Sequence, residues 1–156
     1  MPPTSRRKPA ILDLEHFLPY RLSVLSNTVS LAIAAEYEQR FQLSITEWRV
    51  MAVLARYTDI AAREVAERTA MDKVAVSRAV ARLLSAGRIE RDVADHDKRQ
   101  SVLRLTDAGR AIYAKVAPLA LEHETRLLAQ LDASERDWLE RILAKLWQIE
   151  RSTLAG

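Results

Sequence analysis

The apolar residues Leu14, Phe17, Leu18, Leu22, Leu25, Val29, Ile33 and Phe41 recur at helical spacing, as expected for one face of an amphipathic helix. Proline is tolerated only near a helix start, so Pro19 predicts a short turn followed by a long helix over about residues 19–42. So long a helix exceeds what the core of a small domain covers, and part of its stripe is expected to meet another subunit. Ser44-Ile45-Thr46-Glu47 then has the spacing of a capping box, with Thr46 as a rival N-cap. The helix that follows, to about residue 57, places Trp48, Met51, Ala52 and Leu54 inward.

Residues 61–68 predict a short helix with Val65 and Ala66 on its buried side. Thr69-Ala70-Met71 ends it, and Asp72, a good N-cap residue, starts the next. Two short helices across so tight a turn are the signature of a helix-turn-helix, although Ala70 stands where glycine is common. The second helix, residues 73–86, separates by face at about 100° per residue. Val76, Val80, Leu83 and Leu84 fall on the side to be buried; Val74, Arg78, Ala81, Arg82 and Ser85 fall opposite, with Ala75 and Ser77 on the flanks. The outer face carries arginine, small residues and no acid after Asp72. Small residues let a helix sit deep in a groove, and arginine supplies a fork that matches guanine edges or phosphate.

Gly87 stops this helix. Residues 88–91 and 101–105 alternate well enough to pair as antiparallel strands across a tip at 92–99, with Ile89, Leu103 and Leu105 inward. Asp95, Asp97, Lys98 and Arg99 crowd opposite charges at the tip. Two readings stand: a solvated hairpin, or a wing whose arginine is aimed by a carboxylate into a narrow minor groove. Thr106 caps a helix running to about residue 131 and bent near Pro118. Residues 132–135 open a last helix with Trp138, Ile142, Leu146 and Ile149 on one face, broadened by Leu139 and Leu143. The expected fold is mainly α with a small β wing.

The length, 156 residues, suits one domain or one domain with a dimerisation extension. With 24 basic and 21 acidic residues the net charge is only +3, so its distribution matters more than its total. Residues 73–104 hold eight basic and four acidic groups, a net of +4, whereas residues 105–156 hold seven and eight, a net of −1. The excess coincides with the second helix of the helix-turn-helix and the hairpin, as a nucleic-acid footprint would. The proline-rich basic residues 1–12 are expected to form a mobile arm. The absence of cysteine excludes disulfides, thiolate metal sites and thiol redox sensing. With neither a membrane-length apolar run nor a secretory signal, a cytoplasmic protein is expected.

Catalysis finds little support. His16, His96 and His123 are scattered, and neither a glycine-rich phosphate cradle nor a nucleophile elbow occurs. No catalytic residue, cofactor or metal site is therefore assigned. Glu122-His123-Glu124 groups three metal-binding side chains, but consecutive helical positions point apart, which favours a solvated surface. A metal-responsive regulator stays as an alternative, as does a winged-helix protein-interaction module without DNA binding. Arg78, Arg82 and Arg99 argue against the latter.

The run Gly87-Arg88-Ile89, Arg91, Asp95-His96-Asp97-Lys98-Arg99 and Leu105-Thr106-Asp107-Ala108-Gly109 resembles the wing signature of the MarR family of bacterial transcription regulators. Element order agrees over about residues 12–150. The resemblance implies a winged helix-turn-helix domain at 44–106 flanked by long dimerisation helices at 13–43 and 107–151. It implies a homodimer on a near-palindromic double-stranded operator. Carried onto matching positions, Lys73, Val74, Ala75, Ser77, Arg78 and Arg82 would read the major groove, while Asp97, Lys98 and Arg99 form the wing contact, with Arg99 in the minor groove. It further implies a repressor released by a small aromatic or phenolic effector, for which Arg21, Ser26, Trp48, Arg49 and Tyr113 are candidates. Core packing for Trp48 and a surface ion pair for Arg49 stay open beside that role.

Overall fold

The computed structural model describes residues 11–94 and 97–154, apart from the side chains of 93–94, 97–100 and 154. The arm expected at residues 1–12 lies largely outside them. The chain divides into two compact units, Met1–Ile45 and Thr46–Gly156.

In the first unit, backbone bonds from His16 to Asp13 and from Phe17 to Leu14 close a turn ahead of helix α1, Leu18–Phe41. Pro19 stands in its first turn, where the missing N–H costs nothing. Gln42 ends the helix in the left-handed region, φ +49°. Only Ala34 and Tyr37 of α1 are buried, whereas Leu18, Leu22, Leu25 and Leu31 are exposed.

The second unit begins with α2, Ile45–Arg56, whose Val50, Met51 and Leu54 are buried and whose Trp48 and Ala52 are half-buried. Helix α3, Ala62–Thr69, opens with the Ala61 N–H donating to the Glu64 carboxylate at 3.2 Å. Alanine offers no acceptor in return, so this is half of a capping box. Ala70 closes α3 at φ +51°, a conformation that suits glycine and strains a residue with a Cβ. Helix α4, Lys73–Ser85, starts where the Asp72 carboxylate accepts the Val74 and Ala75 N–H groups at 2.9 and 3.0 Å. A cap of this kind contributes about 1 kcal/mol. At its far end Gly87, φ +64°, lets its own N–H reach the Leu84 carbonyl and the Arg88 N–H reach the Leu83 carbonyl, the paired bonds of a Schellman stop.

Strands β1, Ile89–Ala94, and β2, Asp97–Leu105, pair antiparallel with Ile89 opposite Leu105 and Glu90 opposite Arg104. The hairpin is longer than the expected 88–91 and 101–105. Periodicity marks a strand only where one face is buried, and the outer ribbon pairs through its backbone beyond that signal. Register shifts between Val93 and Ala94. On the other edge of β2, Leu103 bridges Ile60 and donates its N–H to the Ile60 carbonyl at 2.9 Å. β2 is thus the middle of a short three-stranded arrangement.

Ile89, Val102, Leu103 and Leu105 join Val65, Ala66, Val76, Ala79, Val80 and Leu83 among the buried residues of this unit. Each large apolar side chain so buried is worth roughly 1.5–3 kcal/mol relative to exposure. Leu84, expected to be buried with them, is only half-buried, because it lies on the flank of α4 beside an open groove.

Helix α5, Asp107–Leu128, starts at Thr106, whose hydroxyl accepts the Gly109 N–H at 3.1 Å and donates to the Gly87 carbonyl at 2.7 Å. That hydroxyl ties the start of α5 to the end of α4. The helix ends at Leu128, earlier than residue 131, with Pro118 inside it. Asp132 and Glu135 form a reciprocal capping box, at 2.8 and 2.9 Å, ahead of α6, Ala133–Leu154. No described residue of α6 is buried. Among the described residues no helix is long and apolar enough to cross a membrane.

Candidate nucleic-acid interface

Helix α4 is held on one side by Val76, Ala79, Val80 and Leu83, all buried. That anchoring turns Lys73, Val74, Ser77, Arg78, Ala81, Arg82 and Ser85 outward, and all seven are exposed. Ala75 is half-buried, so of the residues expected to read bases it presents the least surface. Val74 is 55% exposed, an apolar side chain held in water on a cationic face. Among the described residues, Lys73, Arg78 and Arg82 have no acidic partner within ion-pair distance. Three cations without an acidic partner among the described residues, interleaved with small side chains, make a surface suited to a polyanion with a groove.

Beside this face runs an open groove of about 450 Å³ between α3, α4 and β1. Its apolar floor includes Ala66, Val80 and Leu84, and its rim carries Arg63, Lys73, Ser77 and Arg91. Arg91 stands opposite Leu103 in the ladder and so shares the inward face of the hairpin. That register delivers its charge to the groove beside α4. In the sequence Arg91 stands out through the local charge excess and the wing-like run, and its two-residue spacing from Ile89 is the signal that places it. Arg63 is paired with Glu67 at 2.9 Å, on an exposed surface where such pairs exchange readily with other anions.

Arg104 belongs to the same charge excess, and here the structure differs. Its guanidinium is shared among Glu90, Asp92 and Asp59 at 2.6, 2.8 and 3.5 Å. The hydrogen bond to Glu90, together with that carboxylate's charge and those of Asp92 and Asp59, raises the guanidinium above its ordinary pKa. It is therefore not a spare cation. The side chains of Asp97, Lys98 and Arg99 lie outside the described residues.

Of the residues considered for an effector, Trp48 and Tyr113 come together, their rings stacked at 5.5 Å between centroids and 21° between planes. Next to them is a cavity of about 310 Å³ lined by Leu54, Ala55, Thr58, Leu105, Arg110 and Tyr113. Arg110, which no sequence motif singles out, is held by the Leu105 carbonyl at 2.6 Å and Asp107 at 2.8 Å. Arg49 is half-buried and engaged, while Arg21 and Ser26 are exposed on α1. Glu122 pairs with Arg126 at 2.9 Å. Among the described residues no three His, Cys, Asp or Glu side chains converge as metal ligands.

Residues 41–100 match the model of the MarR family. The chain is 33% identical over 92 residues to the HTH-type transcriptional regulator BilQ of Clostridium symbiosum (strain WAL-14163), covering 59% of this chain and 64% of that relative's length. A MarR/EmrR family transcriptional regulator from Acinetobacter sp. ADP1 superposes with a TM-score of 0.80 at 29% identity, over 90% of this chain and 99% of that one. A mutant MarR from E. coli, complexed with operator DNA, does so with a TM-score of 0.73 at 26% identity, over 88% and 99%. The matched family and these neighbouring structures are transcription regulators. With its helix-turn-helix, its wing and the extended likeness to these structures, the chain has the fold of MarR-family winged helix-turn-helix transcription regulators, and its residues 41–100 carry that family's match.

Proposed function

We propose that the protein is a homodimeric, cytoplasmic repressor that binds a near-palindromic operator and is released by a small aromatic or phenolic acid. The observation that carries the DNA-binding half is the face of α4, where Lys73, Arg78 and Arg82 stand exposed without acidic partners among the described residues. In this reading α4 lies in the major groove, with Lys73, Ser77, Arg78 and Arg82 at base edges and backbone and with Val74 and Ala75 against thymine methyl groups. Lys98 and the pair Asp97 and Arg99 serve the adjacent minor groove, Arg99 entering it. Arg91 and Arg63 add phosphate contacts along the groove beside α4.

Residues 13–43 and 107–151 would form the dimer around residues 44–106. The apolar faces of α1 and α6, exposed in the single chain, support that division. The stacked Trp48 and Tyr113 beside a cavity edged by Arg110 support an aromatic anion as effector. Arg49, Arg21 and Ser26 remain assigned to it from the family resemblance alone.

The test is enrichment of duplexes from a random library by the purified protein, followed by gel-shift titration at fixed salt. A recovered sequence with two related half-sites about one helical turn apart is expected. Arg99→Ala is expected to weaken binding to it by about 1–3 kcal/mol, one good groove contact. A library from which no sequence emerges would overturn the DNA-reading half. A thermal-shift series of aromatic acids addresses the effector; loss of any shift in Tyr113→Ala is expected.

A further inference from the structure

Arg104 occupies the middle strand at the root of the wing, between β1 on one edge and the Ile60 bridge on the other. Its fork reaches carboxylates on both sides. Glu90 is its direct cross-strand partner, and Asp92, two positions along β1, shares the same outward face. Asp59 lies across the other edge, in the loop that enters the helix-turn-helix, with its backbone in the left-handed region at φ +57°. Asp59 also sits between Thr58, which lines the cavity beside Tyr113, and Ile60, which bridges Leu103.

An exposed ion pair between two flexible side chains does little for stability. A planar fork shared among three backbone segments instead fixes direction, because each bond demands its own angle. All four groups are about half exposed, so the cluster can be altered without opening the core.

We propose that Arg104 is a positioning residue for DNA reading: by bridging Asp59, Glu90 and Asp92 it sets the angle of the hairpin against the helix-turn-helix and contacts no phosphate itself. This rests on reading α4 and the hairpin as the DNA surface. It assigns opposite duties to two arginines on neighbouring strands, since Arg91 faces the groove beside α4 while Arg104 faces away from the core.

Charge and positioning predict opposite signs for one experiment. Glu90→Gln/Asp92→Asn makes the protein more positive near a polyanion, so charge alone would tighten binding. A lost hairpin angle would weaken it. The full-length variant is titrated onto the duplex enriched by the wild type, with two footprints. Dimethyl sulfate reports guanine N7 in the major groove, and hydroxyl radical reports the flanking minor groove.

The expected result is weakening by about fivefold, the scale of a moderate coupling, with flank protection lost and N7 protection kept. Arg104→Lys, which keeps the charge but lacks the fork, should lose the same flanks while melting within a few degrees of the wild type. Should the double variant fail to fold, Asp59→Asn carries the same expectation. Tighter binding by the double variant, or intact flank protection in Arg104→Lys, would overturn the assignment. A wild type that protects no duplex would overturn the DNA surface and this inference together, a result distinct from either.

Discussion

Gly109, in the first turn of α5, packs against the backbone of Arg88 so closely that a Cβ there would overlap the Arg88 carbonyl oxygen and lie 3.0 Å from its carbonyl carbon. The same carbonyl accepts the Thr106 N–H at 3.1 Å, so it cannot withdraw without breaking that bond. The third nearby atom is Leu105 Cδ2 at 3.3 Å, in the core. The glycine of the Leu-Thr-Asp-Ala-Gly run is thus explained by a close approach between the wing's entry and α5. Gly109→Ala gains helix propensity of up to about 1 kcal/mol, but the overlap is with backbone and dominates. Net destabilisation of about 2–3 kcal/mol is expected, as for other overpacked sites, read as a lower urea midpoint. An unchanged or higher midpoint would contradict the geometry.

Ala70 presents the converse case, a residue with a Cβ where glycine would fit. At φ +51° it closes α3 one residue before Met71 and two before the Asp72 cap. Left-handed backbone costs a non-glycine residue roughly 1–2 kcal/mol, partly offset because glycine is freer when unfolded. Ala70→Gly should therefore stabilise by about 0.5 kcal/mol. The turn keeps its shape, so operator affinity should not move. Calorimetry and gel shift on the same preparation check both halves.

These two residues also mark where sequence reading stops. Val76, Val80 and Leu83 announce α4 through their period, and Asp72, Gly87 and Thr106 announce its ends and the next start through their chemistry. The turn at Thr69-Ala70-Met71 is read from the Asp72 cap that follows it, while alanine, at home in a helix, does not announce the left-handed backbone at Ala70. Arg91 and Arg104 are indistinguishable as charges in one basic stretch. Register separates them: Arg91 opposes Leu103 and faces the groove, while Arg104 opposes Glu90 and is engaged by carboxylates. The stacking of Trp48 on Tyr113 joins residues far apart in the chain. No local period or spacing encodes such a contact, because it depends on how α2 and α5 pack.

Arg78 and Arg91 should fail in different ways. Arg78 lies on the outer face of α4, where in the proposed complex its fork would meet base edges, so Arg78→Ala should cost about 1–3 kcal/mol and relax the sequence preference at one position of each half-site. Arg91 lies on the groove rim, where it would meet phosphate. Arg91→Ala should weaken all duplexes alike and flatten the salt dependence by about one ion per half-site. Titrations of specific and scrambled duplexes across a salt series distinguish the two; equal loss of specificity in both variants would refute the division.

Helix α6 buries none of its described residues in the single chain. Trp138, Leu139, Ile142, Leu143 and Ile149 of α6 are all exposed, Trp138 to 59% and Ile142 to 51%. Five such side chains toward one side leave unrealised burial on the order of 5 kcal/mol, too much to leave in water along one helix. A second copy of the chain covers this face in the proposed dimer, and two recognition helices are then spaced by it. Ile142→Glu would place a charge in the middle of the stripe and is expected to raise the dimer dissociation constant at least tenfold, since a charge buried without a partner costs several kcal/mol. Operator binding should fall with it and recover at high protein concentration, because each half-site surface is untouched. Sedimentation and gel shift over one concentration series decide the matter. A wild type that sediments as a monomer at micromolar concentration, or a monomeric variant that keeps full operator affinity, would break the link between α6 and DNA reading.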